Sequence, residues 1–209
     1  MAKLQVAIDL LNIDDAIALA TKVAPYIDII ELGTPLIKSE GLAGIRKMKD
    51  AFPDKLVLAD FKTADAGELE ANMAFGAGAD YITVLGATGD STIAGAVKSA
   101  KAHGKGVVVD TIGVKDRVKR AREAIALGAE FVELHAGLDE QAEDGYSIQV
   151  LIDEATRAGV AVSIAGGVNL SSITAVKNSG VTVAVAGAAI YGAEDPAKAA
   201  KELQELAMA

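Results

Sequence analysis

Eight short apolar runs recur along the chain, each followed by a longer amphipathic stretch. This alternation restricts the fold more than any other feature of the sequence. The runs are LQVAID, IDIIELG, KLVLADF, YITVLG, GVVVDT, FVELHA, AVSIAGG and VAVAGAAI. They are nearly continuous in Val, Ile, Leu and Ala, the pattern of parallel strands buried on both faces. Between them lie helical patterns such as DDAIALATKVAPY, STIAGAVKSAKAHG and DRVKRAREAIALG. Gly78, Gly104, Gly128, Gly159 and Gly180 stand where helices should stop before the next strand. The joints AGADYITV (77–84) and LGAEFVEL (127–134) repeat one another, as βα units do. The expected fold class is α/β, a single-domain (β/α)8 TIM barrel over residues 1–209, near the short end of the range for that architecture. A doubly wound open sheet is the alternative, but eight parallel units would make it unusually wide.

Composition narrows what fills that frame. Hydrophobic residues make up 51% of the chain and aromatic ones only 4%, so the core must be built from Ala, Val, Ile and Leu. A formal net charge of -9 argues against nucleic acid or an anionic membrane as a partner. An anionic ligand would have to be held locally, by backbone amides or a metal. The chain has no cysteine, hence no disulfide and no thiolate metal site. MAKLQVAID lacks the apolar core and cleavage site of a signal peptide, and every apolar run is interrupted before it reaches a membrane span. The expectation is a soluble, cytoplasmic protein.

In a barrel of this kind chemistry sits at the C-terminal ends of the strands, and that end is polar here. Asp9, Glu31, Asp60, Asp110 and His135 close five of the eight runs. One acidic strand end is commonly a helix N-cap; five point to a site without saying which. After the third run the chain reads ADFKTADAGELE, with Asp60, Lys62 and Asp65 in a D-x-K-x-x-D pattern. Two apart in extended chain, Asp60 and Lys62 face one side, with Asp65 on the following loop. Taken alone, such a pattern is more often a solvated ion pair and a cap. The sharper alternative is a catalytic array whose carboxylates keep Lys62 an ammonium. An ammonium is a poor Schiff-base nucleophile but a good stabiliser of negative oxygen.

Glu31 and Asp60 end adjacent strands and suit Mg²⁺; capping of the loops that follow is an equal alternative. SIAGGV (163–168) and VAGAAIYG (185–192) run from strand into small residues and then helix. Paired glycine-rich turns after the seventh and eighth strands bind phosphate through backbone amides in many such barrels. That would reconcile an acidic chain with an anionic ligand. His135, at a strand terminus, is a candidate general base. His103, in SAKAHGKG, reads as a surface residue.

QVAIDLL, DIIELGTPLIKSEGL, ADFKTADAGELE, GDSTIAGAVKSAKAHGKGVVVD, ELHAGLDEQ and AGGV…AVAGAAIYGA together resemble the 3-hexulose-6-phosphate synthase family. The resemblance covers essentially the whole chain. That family lies in the orotidine-5′-phosphate decarboxylase superfamily, whose mark is the D-x-K-x-x-D array. The 3-keto-L-gulonate-6-phosphate decarboxylase family shares the array, the metal carboxylates and the histidine, and is the alternative. It resembles this chain less at four positions. It typically has Glu where this chain has Asp110, Arg at Leu138, Thr at Ala165 and a second Arg at Ala188. Without Arg at 138 the pocket is less polar, which suits formaldehyde. Phe61 and Ala64 stand where close synthase relatives are expected to carry Met.

The resemblance implies aldol addition of formaldehyde to D-ribulose 5-phosphate, giving D-arabino-hex-3-ulose 6-phosphate. It implies Mg²⁺, or Mn²⁺ in its place, on Glu31 and Asp60. His135 would take the C1 proton, and Lys62, supported by Asp60 and Asp65, would stabilise the enediolate oxygen. Asp9 would bond Lys62 or substrate hydroxyls, Asp110 and Ala165 would contact substrate, and the amides around Gly166, Gly167, Gly187 and Ala188 would hold the phosphate. It also implies a homodimer in which Asp65 reaches into the neighbouring subunit's site. A sugar-phosphate binder without turnover is the rival from another class. The presence of Asp9, Glu31, Asp60, Lys62, Asp65 and His135 together speaks against it.

Overall fold

In the computed structural model, which describes residues 2–208, eight strands pair in parallel in sequence order. They are β1 (Lys3–Ile8), β2 (Ile29–Leu32), β3 (Leu56–Thr63), β4 (Tyr81–Leu85), β5 (Gly106–Asp110), β6 (Phe131–His135), β7 (Val162–Ala165) and β8 (Val183–Ala186). β8 closes onto β1. The expected barrel forms, and the open sheet does not. Helices α1 (Ile13–Val23), α2 (Thr34–Ala51), α3 (Gly67–Gly76), α4 (Asp90–His103) and α5 (Arg117–Leu127) follow the first five strands. α6 (Leu138–Gln141) and α7 (Gln149–Ala158) follow β6, α8 (Ile173–Asn178) follows β7, and α9 (Ala188–Tyr191) and α10 (Pro196–Met208) follow β8. Among the described residues no helix is long and apolar enough to cross a membrane.

Local chemistry sets these boundaries. Asn12 starts α1 because its Oδ1 accepts the amides of Asp14 (2.9 Å) and Asp15 (3.1 Å), which have no partner inside the helix. α5 ends at Gly128, whose φ of 104° lets its amide turn back to Ala124 and Ile125 carbonyls.

Two apolar shells hold the barrel. The outer one packs strands against helices and includes Ile8, Ile30, Leu32, Val84 and Leu134. The inner one fills the lower barrel with Ile29, Leu58, Val108, Phe131, Val183 and Val185. Each such side chain contributes roughly 1.5–3 kcal/mol through burial. Strand side chains alternate with period two, so the next residue on the inward face lies one layer higher. In five consecutive strands that residue is polar: Glu31 above Ile29, Asp60 above Leu58, Thr83 above Tyr81, Asp110 above Val108 and Glu133 above Phe131. A largely apolar lower layer, interrupted by Gln5 and Ser163, thus carries a polar upper one.

The opposite end of the barrel is held by Asp80. Its carboxylate accepts the Val57 amide (2.9 Å), Lys49 Nζ (2.8 Å) and Lys105 Nζ. Burial alone would raise this carboxyl, but the two lysines and the amide outweigh it and hold it below 3.8. A carboxyl depressed in the folded state contributes stability that is complete above its unfolded value and is lost as pH falls through its folded value. Stability should therefore begin to drop at about pH 4. Asp80→Asn should flatten that part of the curve. Denaturant melts of both proteins across the acid range check it, and parallel curves would remove this cluster from the account.

Candidate active site

The polar upper layer opens into a cavity of about 920 Å³ at the C-terminal mouth of the barrel. Asp9, Glu31, Asp60, Lys62, His135, Ala165, Gly166, Gly167, Gly187 and Ala188 line it. Asp65 and Asp110 do not.

Asp60 and Lys62 meet, but not through a straight extended chain. The β3–β4 register passes from Ala59↔Ile82 to Thr63↔Val84, so four steps along β3 face two along β4. Inside this bulge Lys62 has a φ of 48°. A non-glycine residue in the left-handed region costs on the order of 1 kcal/mol or more. Lys62 Nζ turns back onto Asp60 (2.8 and 3.0 Å) and also bonds Asp110 Oδ2 (2.8 Å). Burial by itself would lower the Lys62 amine. Asp60, Asp110 and Glu133 outweigh it, the net shift is upward, and the side chain is an ammonium.

Within the chain the second carboxylate on Lys62 is Asp110. Within the chain Asp65 is exposed on the loop after β3 and accepts the Ala66 amide (2.7 Å). Asp110, expected to contact substrate, is 0% exposed. It lies behind Lys62 and His135, accepting from both and from the Ile112 amide (2.8 Å). Burial would raise its carboxyl, but the His135 bond and charge, then Lys62, bring it below 3.8. Asp110 is thus bonded to two groups that line the cavity.

His135 Nδ1 lies 3.0 Å from Asp110 Oδ2. With the Nδ1 hydrogen donated to that carboxylate, the hydrogen-bond network leaves Nε2 as the nitrogen able to take a proton. The His135 amide donates to Thr111 Oγ1 (3.2 Å), whose hydroxyl donates to the Glu133 carbonyl (2.8 Å).

Glu31 is buried, and burial first, then Asp60, pushes its carboxyl up to about 8. Gln5 Nε2 donates to it at 2.7 Å. Asp60 also accepts Thr34 Oγ1 at 2.6 Å. Two hard-oxygen carboxylates thus face one cavity from adjacent strands, in mutual repulsion that a divalent cation would relieve. The donor set fits Mg²⁺. Asp9 lines the same wall and makes no hydrogen bond to Lys62. Burial, then Asp60, raises its carboxyl.

Glu133 was not among the expected residues. It lines the cavity, is 3% exposed, and its Oε2 has no hydrogen-bond partner. Burial, then Glu31 and Asp110, pushes it well above 4.5. Its place two before His135, on the same inward face, was the signal that could have found it.

The two glycine-rich turns, after the adjacent strands β7 and β8, line the same cavity. Gly166 has a φ of 114°, and a Cβ there would lie 2.5 Å from the Ala136 carbonyl oxygen. Gly187 and Ala188 lead into α9. Lys62 is the only Lys or Arg among the described residues that line the cavity.

Residues 2–203 match the family described as Orotidine 5′-phosphate decarboxylase / HUMPS. A 3-hexulose-6-phosphate synthase of Mycobacterium gastri is 63% identical over 202 residues, covering 97% of this chain and 98% of the relative. A crystal structure of a 3-hexulose-6-phosphate synthase superposes with a TM-score of 0.96 at 63% identity, covering 98% of this chain and 99% of that one. A 3-keto-L-gulonate-6-phosphate decarboxylase structure from Vibrio cholerae gives a TM-score of 0.83 at 30% identity, covering 99% of this chain and 97% of that one.

Proposed function

This chain is an enzyme of the orotidine 5′-phosphate decarboxylase / HUMPS family, and from that premise we propose that it adds formaldehyde to D-ribulose 5-phosphate, giving D-arabino-hex-3-ulose 6-phosphate. The observation that carries this reading is the cavity's single cation. Lys62 sits between carboxylates beside His135, while positions 138, 165 and 188 are Leu, Ala and Ala. An aldol addition of formaldehyde needs a base, a group for the developing oxyanion and a small apolar space, and this wall has all three. The decarboxylase reading would want arginines at 138 and 188.

The amides of Gly166, Gly167, Gly187 and Ala188 hold the phosphate, and that remote binding positions the reacting end. His135 Nε2 removes a proton from C1 while Asp110 steadies the imidazolium that forms. The Lys62 ammonium stabilises the negative oxygen of the resulting enediolate. C1 then attacks the formaldehyde carbon, and the new alkoxide takes up a proton. Glu31 and Asp60 would hold Mg²⁺, which supplies Lewis-acid polarisation of the ketose carbonyl when bound. In a homodimer Asp65 would enter the site of the second subunit; its exposure in the loop before α3, and that of Leu69 and Met73 on α3, support this reading.

The test mixes the protein with ribulose 5-phosphate and formaldehyde and follows formaldehyde loss, with Mg²⁺ and then with EDTA. Loss that stops in EDTA is expected. No loss, with 3-keto-L-gulonate 6-phosphate decarboxylated instead, would overturn the reading.

A further inference from the structure

We infer that Thr83, through one buried hydroxyl, positions both halves of the Asp60–Lys62 pair and thereby sets the turnover rate. Thr83 lies on β4, is 0% exposed and does not line the cavity. The inference rests on the proposed reaction only for its effect on rate.

The bulge in β3 leaves the Lys62 amide out of register with β4. That amide donates instead to Thr83 Oγ1 at 2.8 Å. The same hydroxyl spends its hydrogen on Asp60 Oδ1, at 2.7 Å. A hydroxyl can accept and donate at once, so a single oxygen ties the backbone of the ammonium residue to the side chain of its carboxylate. This bond also offsets part of the cost of the Lys62 φ of 48°. Asp60 accepts from Thr83 and Lys62 on Oδ1 and from Thr34 and Lys62 on Oδ2. Thr111 offers a contrast. It accepts the His135 amide, but its hydrogen goes to a backbone carbonyl, so it links no two working side chains.

Thr83→Val keeps the β-branched shape that suits a strand and deletes both bonds. With Lys62 free to leave its left-handed conformation, the ammonium and Asp60 lose alignment, and a shift near 1 Å costs about 100-fold in rate. The expected result is a kcat lower by about 10- to 100-fold, with KM for ribulose 5-phosphate within about threefold, because the phosphate turns are untouched. Thr83→Ser, which keeps the hydroxyl, should recover kcat to within about threefold of the parent. A merely structural role would lower the melting temperature without separating kcat from KM.

Three results would overturn the inference: Thr83→Val folded with kcat within about twofold of the parent, kcat and KM changed alike, or Thr83→Ser as slow as Thr83→Val. Should Thr83→Val fail to fold, Thr83→Ala is judged by the same criteria. If the parent protein shows no turnover, the proposed reaction fails, and crystal structures of the parent and the folded hydroxyl-deletion variant decide the positioning role. Lys62 leaving its left-handed φ, with Nζ parted from Asp60, supports the inference. An unchanged Lys62 and Asp60 sinks it.

Discussion

Replacing Lys62 by Met lowers kcat/KM for formaldehyde addition by on the order of 1,000-fold or more and leaves the barrel folded. The size follows from two effects. Removing one preorganised donor to a developing oxyanion costs about 100- to 1,000-fold. Beyond that, Asp60 and Asp110 each lie 2.8 Å from Lys62 Nζ and would be left without their cation. Methionine keeps the length and apolar stem of lysine, so packing changes little. Losing one partner of a buried ion pair costs about 3–5 kcal/mol. Here Lys62 is 21% exposed at a solvated mouth, and about 1–3 kcal/mol is the expectation. Lys62→Arg should not rescue the rate, because a planar fork cannot reproduce three bonds converging on one nitrogen. Formaldehyde consumption by the purified variants, with denaturant melts alongside, measures both effects. A variant that keeps a tenth or more of the parental rate would remove Lys62 from the chemistry. Trapping of the parent by borohydride in the presence of ribulose 5-phosphate would move it to imine chemistry.

Gly166→Ala is expected to destabilise the fold by about 2–4 kcal/mol and to weaken ribulose 5-phosphate binding at the same time. Two constraints act at this position. Its φ of 114° lies where side chains are essentially excluded. Its Cβ would also fall 2.5 Å from the Ala136 carbonyl oxygen, which is backbone and cannot swing away. Relief requires the β7 turn to move, and that turn carries the amides assigned to the phosphate. For a chain of this length the melting temperature should fall by on the order of 10 °C. Gly187→Ala is the control. A Cβ there meets nothing nearer than Tyr191 at 3.5 Å, so the stability loss should be smaller. Equal melting temperatures for the parent and Gly166→Ala would show that the turn yields freely.

The charged strand ends were legible because the inward face of a barrel strand can be counted in twos. Asp60, Asp110 and His135 stand on that count, as does Glu133, which was overlooked inside the apolar run FVELH. The glycine-rich turns were legible because few residues other than glycine accept the backbone of Gly166. The partners were not. The D-x-K-x-x-D spacing gives no sign that Asp110, 48 positions away, bonds Lys62 within the chain. Thr83 gave no signal, since a threonine in a β-rich run is ordinary strand composition.

By itself the sequence determined the eightfold repeat, the largely apolar lower barrel and the polar end where chemistry belongs. Those follow from local rules: burial of strands on both faces, a period of two, and helix stops at glycine. Only the tertiary structure decided which charges pair, that Asp110 stands behind the site and that Lys62 enters it through a bulge. These depend on register between strands distant in the chain, and closing the barrel sets that register.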